Sequence, residues 1–135
     1  MTLNFTSAIE IYALYKFDRN IRYIFLKRVL EIENNIKSSI ADVLSKEYGY
    51  DNYLKISNFE LKQNHNLRNI SKLIAHIQND IARQINKSSS ITHYMENYGY
   101  VPIWVLANIL TLGAISRFFN LMKLKERQNV GLMCP

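Results

Sequence analysis

Residues 101–119 read VPIWVLANILTLGAISRFF, and the reading of this run decides the fold. It is apolar on almost every side, with one Pro, one Gly and one Arg. A membrane span needs roughly 20 mostly apolar residues. Asn108, Thr111, Ser116 and Arg117 interrupt this one, and Pro102 stands at its start. A helix that is apolar all round also suits the centre of a helical bundle. The run is therefore read as a core helix beginning near Val101, with Pro102 in its first turn. A partner interface is the alternative. Gly113 is expected to break this helix or to pack it tightly, and the helical pattern resumes to about Arg127. The tail QNVGLMCP carries no pattern.

Working upstream, the same helical spacing recurs. Ser7-Ala8-Ile9-Glu10 matches a capping box and predicts a short helix to about Lys16. Asp18 then reads as a second N-cap, opening a long helix from Arg19 to about Lys46. Ile21, Phe25, Val29, Ile32, Ile36, Ile40 and Val43 give that helix one continuous apolar stripe. Gly49 suits its C-terminal stop. Residues 50–59, YDNYLKISNF, read as a loop with room for one helical turn. A second long helix is expected from Glu60 to Asn86, with its stripe at Leu67, Ile70, Ile74, Ile77, Ile81 and Ile85. Ser90 is expected to cap a short helix through Tyr98, which Gly99 ends.

The chain of 135 residues fits one domain with a substantial core. With 48% apolar and 21% charged residues it reads as globular. Only 4 Gly and 2 Pro are present, which favours long regular elements. No repeat and no strand alternation is visible. The expected fold is all-α, a helical bundle with two long helices and several shorter ones.

The formal charge is +6 and the pI about 9.5, which accommodates a polyanionic partner such as RNA. The alternative is a set of solvated lysines. Cys134, the single cysteine, cannot form an internal disulfide or a zinc site alone. The N-terminus lacks the pattern of a signal peptide, and a cytoplasmic location is expected.

On the second long helix, His65, Arg68, Lys72, His76, Asn79 and Arg83 share one face. Such a stripe can neutralise RNA phosphates without sequence preference. Read blandly, it is the solvated back of an amphipathic helix. Arg68 and His76 lie eight residues apart, about 12 Å along a helix axis, too far for joint work on one phosphate. On the first long helix, Arg22, Leu26, Leu30, Glu33 and Lys37 form a stripe beside the apolar one. Glu33 and Lys37 stand at the favourable i, i+4 spacing. Arg22 and Lys37 are further candidates for phosphate contact, whereas Glu33 reads as an anchor of helix packing. The six tyrosines Tyr12, Tyr15, Tyr23, Tyr48, Tyr50 and Tyr53 read as rings packed at bundle ends, with base stacking as the alternative. No phosphate loop, paired-carboxylate motif or nucleophile motif occurs. No metal and no cofactor is expected.

Two stretches also carry a resemblance. PIWVLANILTLGAISRFF, with Pro102, Trp104, Gly113, Ser116 and Arg117, resembles a segment of the abortive-infection (Abi) family of bacterial anti-phage proteins. YALYKFDRNIRYIFLKRVLEIENNIKSSIA resembles the family's other hallmark, through Leu14, Tyr15, Phe17, Asp18, Arg19, Arg22, Ile32, Glu33, Ile36, Lys37 and Ser38. The match runs from about Ser7 to Arg127. The family is similar to the HEPN superfamily of helical RNA-binding and RNA-cleaving domains. The resemblance implies a HEPN-like fold, a role in phage defence, RNA as target, and dimers that share an Arg-x4–6-His motif. No Arg precedes a His at that spacing here, so no catalytic residue is assigned. The family's R-N-x-x-x-H segment and its leading helices are not in this chain, which is read as a partial Abi-like domain or a truncated reading frame. The expected activity is residual RNA binding or a structural role. The rival expectation is a helical interaction module that binds an antitoxin or a second copy.

Overall fold

Neither Gly nor Pro occurs before Gly49, and the chain uses that freedom. In a computed structural model, which describes residues 5–49, 51–62 and 66–133, the first element is one unbroken helix, α1 (Phe5–Tyr48), of 44 residues. The two expected helices, one to Lys16 and one from Arg19, are thus a single helix. Ser7 and Asp18 cap nothing. Asp18 instead reaches along the helix to Arg22, with 3.0 Å between Oδ2 and Nε. An i, i+4 partner competes with the backbone for the carboxylate, and no residue nearby forces the helix to stop.

Among the described residues the remaining elements are a 3-10 turn (Ile56–Asn58), α2 (Asn66–Gln84), α3 (Ser89–Tyr98), α4 (Ile103–Leu106), α5 (Leu112–Leu121) and α6 (Leu124–Met133). No strand occurs among them, and the fold is all-α as the periodicity indicates. The chain divides into two compact units, Met1–Asn34 and Asn35–Pro135. α1 supplies residues 5–34 of the first and residues 35–48 of the second.

In the second unit α2 packs against α3, α5 and the 3-10 turn. Its Ile70, Leu73, Ile77 and Ile81 are buried at helical spacing. They join Ile40, Val43 and Leu44 of α1 and Ala114, Ile115 and Phe118 of α5 in one core. Phe59 closes the core with its ring 5.3 Å from that of Phe118. Beside it Phe59 and Met122 form an isolated antiparallel bridge, and Glu60 N–H donates to Leu121 O at 3.0 Å. This pairing holds Glu60 outside α2, so the second helix starts at Asn66 rather than Glu60. Asn66 Nδ2 donates back to Glu60 O at 2.7 Å.

Other boundaries also differ from the sequence reading. Ser88, not Ser90, caps α3, its Oγ accepting from Ile91 N–H at 3.4 Å. Gly99 ends α3 as expected, in the left-handed region at φ 74°. The run 101–119 is two helices. Pro102 caps the short α4, and Thr111 caps α5 by accepting from Ala114 N–H at 3.1 Å. Gly113 lies within the first turn of α5 and breaks nothing. The tail, as far as Met133, is helical within α6, held by buried Glu126 and Val130.

The stripe on α1 has two fates. Ile40 and Val43 are buried and Ile36 is half-buried, but Ile21, Phe25 and Ile32 are exposed. Leu67 of α2 is likewise exposed, as is Ile85, which lies past the end of α2 at Gln84. Among the described residues, no helix is long and apolar enough to cross a membrane.

Candidate functional site

α2 and α5 meet along the faces that bury Leu73 and Phe118, and this contact brings their polar edges together. Between them lies a cleft of about 390 Å³ lined by His76, Asp80 and Arg83 of α2, by Lys87, and by Thr111 and Arg117. A second hollow, of about 290 Å³, adjoins along α2 and is lined by Asn69, Lys72, Leu73, Arg117 and Asn120. Arg117 borders both. A segment that the sequence marks as an apolar core run thus sends its one cation to face the basic stripe of another helix.

Asp80 organises the middle of the cleft. Its side chain is 10% exposed, and it accepts from Arg83 through Oδ1. Its Oδ2 lies 3.3 Å from His76 Nε2. A carboxylate this buried requires such partners. The i, i+4 and i, i+3 steps from His76 to Asp80 and from Asp80 to Arg83 place all three on one face. The sequence reading counted Asn79 in the stripe and passed over Asp80. The 76–80–83 spacing was the available signal. Lys87 and the pairing of Arg117 with α2 were also missed, because both depend on tertiary contact.

Four cations, Lys72, Arg83, Lys87 and Arg117, therefore border two adjoining hollows whose lining holds one carboxylate, Asp80. Among the described residues no carboxylate is ion-paired with Lys72, Lys87 or Arg117. A concave surface with a net positive charge concentrates anions. Its size suits a phosphate with part of a sugar or base. Among the described residues no three of His, Cys, Asp and Glu gather as a metal requires.

The other candidates lie elsewhere. Arg68 is exposed on the first turn of α2 and lines neither hollow. His65 falls outside the described residues, as do Tyr50 and Cys134. Arg22 belongs to the first unit and is held by Asp18. Lys37 and Glu33 are half-buried on α1. Of the motif residues, Tyr15, Phe17 and Arg19 are exposed on α1, Pro102 is buried, and Trp104 is 47% exposed. Ser116 faces an apolar hollow of about 400 Å³ formed with Ile36, Leu112, Ile115, Phe119 and Val130.

Comparison with known proteins gives one result. A family model described as Abi-like protein matches residues 2–134. No curated protein and no solved structure matches the chain.

Proposed function

The chain belongs to the Abi-like protein family, and on that premise we propose that it is a cytoplasmic phage-defence protein of the abortive-infection type, directed at RNA. The observation that carries the RNA reading is the convergence of Lys72, Arg83, Lys87 and Arg117 on adjoining hollows with a single carboxylate. These cations neutralise backbone phosphates, which gives binding with little sequence preference and a steep dependence on salt. The role is binding rather than cleavage. His76 is engaged by Asp80, and Arg68 stands outside the cleft, so the Arg68–His76 pair does not share one phosphate. Arg68, Arg22 and Lys37 are carried as additional phosphate contacts.

The test is a titration of labelled RNA across a range of salt, with the wild type and with Lys72→Ala and Arg117→Ala. Each substitution should weaken binding, and each lost phosphate contact should flatten the slope of log K against log salt by about 0.7. Unchanged affinity and slope in both variants would remove the cleft from the RNA reading.

A second reading rests on the exposed apolar residues of α1, Phe25 at 70% among them. Exposed apolar surface on this scale fits a protein interface, with an antitoxin or a second copy. Partner binding that survives high salt would favour it, since an apolar interface is little screened.

A further inference from the structure

We propose that α3 carries a stacking platform for unpaired bases, joined to the basic cleft through Lys87, so that the RNA bound is single-stranded. The proposal rests on the cleft reading and extends it to a substrate class.

The platform is a set of touching rings on α3, which buries only Ile91, and just past its end. His93 meets Tyr94 edge-on at 5.6 Å and Tyr98 at 6.1 Å. Tyr94 and Tyr98, one turn apart, lie 5.8 Å from each other at 37°. Tyr98 in turn lies 6.2 Å from Tyr100. Tyr98 is 58% exposed and His93 is exposed. Asn97 braces the His93 position, donating from Nδ2 to His93 O at 2.8 Å.

Rings that serve the core sit under it, as Phe59 and Phe118 do. Here His93 and Tyr98 are exposed, Tyr94 and Tyr100 are half-buried beside them, and the four rings are in mutual contact with polar edges. A nucleobase has the matching character, an apolar face and a polar rim, and stacks on such rings whatever its sequence.

Lys87 provides the connection. It lines the cleft and also a further hollow of about 450 Å³ that reaches Asn86, Ser88, Thr92 and His93, with Glu96 the carboxylate on its wall. The turn holding Lys87 is fixed at both sides. Asn86 adopts φ 68° and donates from its backbone N–H to Thr92 Oγ1 at 2.9 Å, while Ser88 caps α3. A strand with phosphates in the cleft can therefore lay its next bases toward His93 and Tyr98. In a duplex the base faces are occupied by their neighbours, so the platform gains nothing from it.

The experiment compares a short labelled single-stranded RNA with a duplex of the same length, using the full chain. Tyr98→Ala should weaken single-strand binding about tenfold, leave duplex binding and the salt slope unchanged, and be rescued by Tyr98→Phe. Tyr94→Ala, read alongside helicity by circular dichroism, gives an independent variant. If Lys72→Ala and Arg117→Ala weaken binding but the tyrosine variants do not, the cleft stands and the platform is overturned. If duplex binds as tightly as single strand, the platform is likewise overturned. If the wild type binds neither RNA, cleft and platform fall together.

Discussion

The phenol of Tyr48, at the end of α1, donates a hydrogen bond to the buried carboxylate of Glu126 on α6, 78 residues away. Burial first, then this bond, raises the Tyr48 pKa above its ordinary value. Glu126 is 4% exposed, and its Oε2 has no hydrogen-bond partner among the described residues. Tyr48→Phe should therefore cost about 1–3 kcal/mol, because the remaining acceptor is left buried. Glu126→Gln should cost less, since an amide oxygen still accepts from Tyr48. Urea unfolding of both variants and of the double change to Phe and Leu would show strong coupling between the sites.

Tyr53 sets an alkaline limit. Burial chiefly, with the nearby charge of Asp51, raises its pKa, and its hydroxyl donates to Val101 O. A tyrosine whose folded pKa lies above the unfolded value of about 10 contributes its full stability below that pH. The contribution declines as pH rises further, because the unfolded chain then releases the proton more readily. Tyr53→Phe should lower stability at neutral pH and flatten the loss above about pH 10. Melting temperature measured against pH reads both effects.

The two fates of the α1 stripe separate two substitutions that sequence pattern alone would equate. Ile40 is 2% exposed and Phe25 is 70% exposed. Ile40→Ala should destabilise the isolated chain by about 2–5 kcal/mol. Phe25→Ala should stay within about 0.5 kcal/mol. Equal losses would mean that Phe25 is covered in solution.

The helical class and the core of α2 were legible because Ile70, Ile77 and Ile81 repeat at the period that burial imposes. Gly99 was legible because few other residues adopt its left-handed backbone. The missed boundaries share a cause. Ser7, Asp18 and Ser90 have side chains suited to capping, yet whether they cap depends on what competes for them. Arg22 claims Asp18, and Ser88 reaches the start of α3 first. α6 has no apolar stripe to reveal it, and tertiary anchors such as Glu126 hold it in place. In the candidate site, Lys72, His76 and Arg83 could be read along one helix. Arg117 could not, because its place opposite them is set by how α5 lies on α2.

The pairing of Phe59 with Met122 and of Glu60 with Leu121 bears on how the chain reaches this fold. The helices α2, α3, α4 and α5 are enclosed between its two halves. Each helix draws on contacts a turn apart and forms within about a microsecond. The pairing instead has to bring together segments with four helices between them, so, like the Tyr48–Glu126 bond, it raises the contact order of the fold. Closing that clasp therefore belongs with the non-local steps of assembly that follow the forming of the helices it encloses.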